Sequence, residues 1–186
     1  MSPEAALTLR LMKIVANNES LMQDLETARS LRLPQCYIAA GYIRNLVWDY
    51  LHGFGNRSLH DDIDVVYYDP ANCGEGRDRE LEYLLRSATG NAKWSVKNQA
   101  RMHLRNGTSQ YLSTEDAIKR WPETVTSIGA RLNDDNELEL CHPNGLSDLF
   151  RLEVRKSPYF EDRSHYLERV RKKRWQEHWP MITIYE

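Results

Sequence analysis

Cysteine is scarce in this sequence, with only Cys36, Cys73 and Cys141 among 186 residues. Three cysteines without CxxC spacing argue against a disulfide framework and a structural zinc site, so we expect reduced thiols. Long apolar runs are also missing, because charged or polar residues interrupt the N-terminal segment every few positions. This argues against a signal peptide and a membrane span, and we expect a cytoplasmic protein without a membrane partner.

The chain has little net charge of either sign, at −2. Without an overall field to attract nucleic acid or an anionic membrane, any anion site must come from a local arrangement. A chain of this length can bury one ordinary core. We expect a single domain over residues 1–186, with N-terminal helices at 1–33, an α/β core at 35–155 and a basic C-terminal helix at 159–179.

Hydrophobic periodicity predicts the order of elements. Apolar residues recur at threes and fours over residues 3–31, which predicts two helices with a turn between them. Runs rich in β-branched residues and amphipathic stretches then predict the order β-α-β-α-β, at residues 36–40, 42–52, 63–68, 76–87 and 94–99. A hairpin is expected around Asn133-Asp134-Asp135-Asn136, and Ser113 is expected to cap a short helix. The expected fold class is α/β or α+β, with a mixed sheet flanked by helices.

The strongest chemical signal is Asp62-Ile63-Asp64 at the start of the second strand. Strand alternation places both carboxylates on one face, about 7 Å apart along the strand, where they can converge on a cation. Hard oxygen ligands suit Mg²⁺ or Mn²⁺, which would align an attacking hydroxyl and stabilise a departing pyrophosphate. The alternative is that these acids only cap a strand end in solvent.

A second signal precedes it, where the first predicted strand turns through Gly41 directly into a helix. The first N–H groups of such a helix can hold a phosphate, and glycine allows close approach of the backbone. Arg44, one turn further on, can donate two hydrogen bonds to the same anion. The alternative is a plain tight turn in which Arg44 pairs with a surface acid.

Together these segments resemble the nucleotidyltransferase superfamily that includes DNA polymerase β, and most closely the head of the CCA-adding and poly(A) polymerases. The family signature Gly-Gly-x-Val-Arg-Asp, Leu-Leu-Gly and Asp-x-Asp stands here as Ala40-Gly41-Tyr42-Ile43-Arg44-Asn45, Tyr50-Leu51-His52-Gly53 and Asp62-Ile63-Asp64. Further segments around Trp94, Trp121 and Trp175 resemble a small bacterial family of nucleotidyltransferase-like proteins. The resemblance implies catalytic and metal-binding roles for Asp62 and Asp64, and nucleotide binding by Gly41, Arg44 and Asn45.

The sequence departs from the superfamily in three places. Ala40 replaces the first glycine, Asn45 replaces an aspartate, and the third strand offers no carboxylate where a third acid often completes the site. Candidates for that acid from elsewhere in the chain are Glu123, Glu139 and Asp148. One metal-bound nucleotide is compatible with two carboxylates, whereas a second ion is marginal.

Two further polar segments have both a functional and a structural interpretation. Asn98, Gln99 and Arg101, with His103 nearby, follow the third strand and can bind a base, ribose and triphosphate, or can tie down the next loop. The C-terminal helix carries basic and aromatic residues suited to RNA, but its acids favour a solvated helix whose tryptophans pack on the domain.

The sequence therefore predicts a Mg²⁺-dependent nucleotidyltransferase that moves a nucleotidyl group from a nucleoside triphosphate to a hydroxyl of a small molecule or an RNA end. CCA addition itself is not expected, because the residues after the third strand are too few for the further helical domains. The alternative is a non-catalytic module that keeps the fold and binds a nucleotide or a protein.

Overall fold

The computed structural model describes residues 2–55, 57 and 60–186. Residues 56–61, which their polar sequence predicts to be a loop leading into the second strand, lie partly outside the described residues. The helices are α1 Pro3–Ala16, α2 Glu19–Ser30, α3 Gly41–Leu51, α4 Glu75–Thr89, α5 Gln99–Asn106, α6 Thr114–Lys119, α7 Ser147–Arg151 and α8 Arg163–Lys173. The strands are β1 Tyr37–Ala39, β2 Ile63–Tyr67, β3 Trp94–Asn98, β4 Gly129–Leu132, β5 Leu138–Cys141, β6 Glu153–Val154 and β7 Thr183–Ile184. Short 3-10 helices cover Thr124–Thr126 and Trp175–Glu177.

Local capping explains several boundaries. Asn18 begins α2, since its side chain accepts a hydrogen bond from the backbone N–H of Leu21 at 2.8 Å. Ser113 begins α6 in the same way by accepting from the N–H of Asp116. The expected cap at Ser113 is confirmed, and Ser113 has the structural role predicted for it.

The main sheet is mixed, with strand order β3-β2-β1-β4-β5. Strand β1 is antiparallel to both β2 and β4, whereas β2 and β3 are parallel. Alternating residues separate its two faces: Ile38 and Val65 belong to the large core, and Ala39 and Val66 belong to a smaller cluster. Helices α1, α2 and α3 contribute to the large core. The fold is therefore α+β with a mixed sheet flanked by helices, as predicted.

Four details differ from the sequence prediction. The polar residues after β3 form helix α5 where a loop was expected, because Asn98 caps it by accepting from the N–H of Ala100. Residues 124–126 form a 3-10 turn, so β4 begins at Gly129, whereas the sequence predicts a strand from Thr126 to Leu132. Strand β7 was not predicted, and it pairs with β6. The C-terminal helix is shorter than 159–179, because the N-cap at Asp162 begins it and the left-handed backbone of Arg174 ends it.

Within the described ranges, no helix has both the length and the apolar content needed to cross a membrane.

Candidate active site

The register of the sheet brings the two strongest sequence signals together. Strand β1 runs antiparallel to β2, and Ala39 lies opposite Asp64. The end of β1, where the chain turns into α3 at Gly41, therefore meets the start of β2, where the acidic pair lies. This neighbourhood follows from the pairing of two short strands that are separated by a whole helix in the chain.

These segments line one cavity of about 80 Å³. Its acidic side carries Asp61, Asp62 and Asp64, and its lining is completed by Ala40, Gly41, Arg44, Asn45, His60, Thr126, Arg169 and Lys173. Asp62 is exposed and Asp64 is half-buried. Acidic and basic groups thus face one small space, which suits a metal ion held together with an anion.

Helix α3 points its N-terminus at this cavity. No side chain among the described residues caps its first turn, so its N–H groups are not shielded by a capping oxygen. A β-carbon at Gly41 would lie 3.4 Å from Nη2 of Arg44, so the guanidinium packs directly over the glycine. The preceding Ala40 has φ 59°, a left-handed conformation that favours glycine. The superfamily signature has glycine where this chain has Ala40, and the positive φ of Ala40 is the conformation for which glycine is suited.

The Arg44 side chain is buried, and within the described residues it forms no ion pair with a surface acid. Only 5% of it is exposed. Its Nε and Nη2 donate to Oδ1 of Asn45, and its guanidinium carbon lies 5.0 Å from the Trp48 ring and 4.4 Å from the Trp175 ring. Burial lowers the pKa of Arg44 to about 10, so it stays cationic near neutral pH. The two tryptophans hold a fixed positive charge at the cavity wall.

The acidic side of the cavity is electrostatically strained. Burial, followed by repulsion from Asp62, raises the pKa of Asp64 to about 6. A cation between the two carboxylates would relieve that repulsion, and carboxylate oxygens are the donors that Mg²⁺ prefers. These two residues therefore fit a divalent metal, with its other ligands left to water or to phosphate oxygens.

Helix α8 supplies a basic side that the sequence analysis missed. Arg169 and Lys173 are four residues apart, so they lie on one face of the helix, and both line the cavity. Nε of Arg169 lies 2.5 Å from Oε1 of Glu123, a residue that is fully buried. The other carboxylate oxygen of Glu123 accepts from Oγ1 of Thr126 at 2.8 Å. Glu123 thus anchors two residues of the lining without lying on the cavity itself.

No third metal-binding carboxylate emerges from the candidates named in the sequence. Glu123 is committed to Arg169, Glu139 pairs with Arg131 on the distant hairpin, and Asp148 accepts from Thr124. Across the described parts of the chain, no group of three or more histidine, cysteine, aspartate or glutamate residues is arranged to hold a metal ion. Asp62 and Asp64 remain the proposed metal-holding pair, since the third aspartate of the lining, Asp61, approaches Nζ of Lys173 at 3.9 Å.

Asn98, Gln99 and Arg101 do not line this cavity. Asn98 lies opposite Tyr67, at the other end of β2 from the acidic pair. Its side chain is fully buried and donates to the carbonyls of Asp69 and Asn72, while Arg101 pairs with the buried Asp78 at 2.5 Å. Gln99 donates to the carbonyl of Lys97. These contacts favour the structural interpretation of the cluster, and we leave all three out of the proposed site.

His60 and Thr126 also line the cavity without having been singled out. His60 stacks on Tyr42 with ring centroids 4.0 Å apart, and burial lowers its pKa. Neither residue stands in a recognisable motif, so only the fold could place them. For Arg169 and Lys173 the available signal was their helical spacing within a basic segment.

The described fold, with a strand-glycine-helix turn beside an acidic strand, is that of a nucleotidyltransferase. Residues 26–184 match a family described as Nucleotidyltransferase, and the chain belongs to that family. A solved structure entitled "The NMR structure of the protein reveals a CCA-adding enzyme head domain" is 34% identical, with a TM-score of 0.84 over 95% of this chain and 94% of that one. No curated protein is significantly similar to the chain.

Larger enzymes share the fold at lower identity. A CCA-adding enzyme in complex with CTP is 16% identical, with a TM-score of 0.54 over 95% of this chain and 43% of that one. The Thermotoga maritima CCA-adding enzyme in complex with tRNA is also 16% identical, with a TM-score of 0.57 over 95% of this chain and 42% of that one. The chain therefore spans less than half the length of these two enzymes.

Proposed function

We propose that this protein is a Mg²⁺- or Mn²⁺-dependent nucleotidyltransferase that moves a nucleotidyl group from a nucleoside triphosphate to a hydroxyl acceptor. The observation that carries the proposal is the single cavity lined by Asp62 and Asp64 together with the Gly41 turn, Arg44 and Lys173. Opposite charges at this spacing are what a metal-bound triphosphate requires, since the metal needs carboxylates and the phosphates need cations.

In this proposal the residues have separate tasks. The N-terminus of α3 at Gly41 holds phosphate oxygens through its N–H groups, and Arg44 fixes a positive charge over the same turn. Arg169 and Lys173 bind the remaining phosphate charge from the side of α8. Asp62 and Asp64 hold the divalent ion, which when bound neutralises the triphosphate and favours departure of pyrophosphate. Asn45 supports this arrangement by accepting both hydrogen bonds from Arg44.

The acceptor is a small molecule or an RNA end. The neighbouring structures with CTP and tRNA make these two compounds the natural first choices for nucleotide and acceptor. They support a trial of those ligands, and this chain spans less than half the length of those two enzymes.

A non-catalytic nucleotide-binding module is the second candidate. This alternative is favoured because no group of three or more metal-ligating side chains occurs among the described residues, which leaves Asp62 and Asp64 as the proposed metal-binding pair. Such a module would bind nucleotide without releasing pyrophosphate.

Titration calorimetry with ATP, CTP, GTP and UTP, with and without Mg²⁺, tests the proposal together with mass spectrometry of products. We expect Mg²⁺-dependent binding of at least one nucleotide, and its loss by about a hundredfold or more in Asp64→Asn, because the same oxygens hold the metal. Asp135→Asn, in the exposed hairpin turn, is the charge-matched control and keeps wild-type affinity. Binding that is equally strong in EDTA, without pyrophosphate release, would replace the enzyme by the binding module.

A further inference from the structure

A second and larger cavity, of about 620 Å³, lies between helix α2 and strands β1 and β4. Its volume is in the range of small-molecule sites, about 300–1,000 Å³. Ile38 lies in its floor, while Gly41, three residues further along the chain, lines the candidate active site. Cys36, which precedes β1, lines this cavity, whereas Ala40 and Gly41, which follow β1, line the candidate active site, and none of the described residues lines both. The two sites are therefore distinct and lie at opposite ends of β1.

The rim of this distal cavity is basic. Arg29, Arg32 and Arg131 line it, and Asp134 is the one acid among the described lining residues. Arg131 is neutralised, because its Nη2 lies 2.6 Å from Oε2 of Glu139. The other two arginines have no such counter-charge within the described chain: Arg29 donates to the backbone carbonyl of Asn133 at 3.2 Å, and the guanidinium of Arg32 has no hydrogen bond or ion pair. Two guanidinium groups are thus available to an incoming anion.

The backbone at Arg32 is unusual for an arginine. Its φ is 51°, directly after the C-cap of α2 at Leu31. Glycine is the usual residue in a left-handed conformation at this position, and a side chain there costs free energy. An exposed arginine thus occupies a position where local structure alone would favour glycine, and this arginine lines the cavity.

The floor of the distal cavity is apolar and chemically inert. It is formed by Leu25, Leu33, Cys36, Ile38 and Leu132. Burial raises the pKa of the Cys36 thiol to about 12, so the thiol stays protonated and the floor carries no charge. An apolar floor beneath two guanidinium groups matches a ligand with an apolar body and one anionic head.

We propose that this distal cavity binds a small organic anion, whose phosphate or carboxylate group is held by Arg29 and Arg32 and whose apolar part rests on Leu33 and Cys36. Guanidinium groups form paired hydrogen bonds with both head groups, so either chemistry fits. A cation of the same size is repelled by the same rim.

Titration of ¹⁵N-labelled protein followed by amide NMR in phosphate-free buffer tests this site. The probes are phenyl phosphate, benzoate and benzylamine, which share a ring and differ in the charged group. We expect at least one anion to give saturable shifts at residues 25–36 and 130–134, and benzylamine to give none. The stronger of the two anions identifies the head group. Equal shifts with benzylamine, or no saturable shifts in these two segments, would overturn the proposal.

Variants then test the two arginines. Arg29→Gln and Arg32→Gln should each lower the affinity for the anion that gives saturable shifts by at least about tenfold. This is the lower range for the loss of a hydrogen bond to a charged group. Arg151→Gln removes an exposed arginine outside both cavities and should leave the affinity unchanged. Asp64→Asn should also leave it unchanged, which separates this site from the candidate active site. An unaltered affinity in Arg32→Gln rules out the assigned contact.

Discussion

The two ends of strand β2 carry polar clusters of similar composition but opposite character. At the start of β2, Asp62 and Asp64 face a cavity, and burial with repulsion from its neighbour raises the pKa of Asp64. At its end, beside Tyr67, the side chain of Asn98 bonds the backbone at Asp69, Asn72 and Ala100. Polar residues that saturate one another stabilise a fold, whereas those left in electrostatic conflict mark a ligand site.

The largest expected effect concerns the end of β2 beside Tyr67, where the polar groups bind one another. Arg101→Ala leaves Asp78 buried without its cation, and the loss of one partner from a buried pair costs about 3–5 kcal/mol of unfolding free energy. Nucleotide affinity should stay unchanged in the variant that remains folded, because Arg101 does not line the cavity. Urea denaturation gives the stability, and calorimetry below the melting temperature gives the affinity. A variant that stays stable but binds nucleotide more weakly would show that Arg101 has a ligand-binding role and not a structural one.

A substitution at the start of β2, where Asp62 and Asp64 lie, is expected to raise the free energy of unfolding instead of lowering it. In the folded state the pKa of Asp64 is about 6, above the ordinary value of 3.8, so ionisation destabilises the fold. The penalty is absent below about pH 4, grows as pH rises towards 6 and is constant above that. Asp64→Asn should therefore be more stable than wild type at pH 8 in EDTA, by up to about 3 kcal/mol from a two-unit shift, and equally stable near pH 4.

Denaturant midpoints of both proteins at pH 4, 6 and 8 check this prediction. The useful control is Asp135→Asn, which should track wild type at every pH. If Asp64→Asn is less stable at pH 8, its carboxylate is a structural partner and the comparison between the two ends fails.

Much of this contrast could be read from the sequence, and part of it could not. Alternation in the strand placed Asp62 and Asp64 on one face, and the glycine turn indicated where α3 begins. The cluster at Asn98 remained ambiguous, because amide and guanidinium groups serve a ligand or the backbone equally well. Only the register of β2 and β3 shows that this cluster lies at the far end of the sheet.

Contacts between distant segments were beyond the reach of local patterns. Arg44 is held by Trp175, and Arg169 is held by Glu123, in both cases across a large separation in the chain. Periodicity predicts which face of a helix is apolar but not which other element covers it. The basic side of the cavity was therefore missed, although the spacing of Arg169 and Lys173 on one helical face was visible.

A smaller effect concerns the turn between β1 and α3. Ala40 has φ 59° and ψ −123°, a combination that an L side chain rarely adopts. Ala40→Gly removes this strain and should stabilise the protein by about 1 kcal/mol, which exceeds the entropic cost of a glycine in the unfolded chain. Thermal unfolding measures the change, with Ala117→Gly in helix α6 as a control that should destabilise. A lower melting temperature for Ala40→Gly would contradict the strained backbone.

The smallest expected effect tests whether the basic side of the cavity belongs to the functional end. Lys173 is exposed and approaches Asp61 at 3.9 Å, so its removal should leave stability within about 0.5 kcal/mol of wild type. Its charge lies on the cavity, and Lys173→Ala should weaken Mg²⁺-nucleotide binding by about three- to tenfold at low salt and by less at high salt. Lys172→Ala, one residue earlier and outside the lining, is the matched control and should have no effect. Equal losses in both variants would assign the attraction to the general charge of α8 and remove Lys173 from the proposed site.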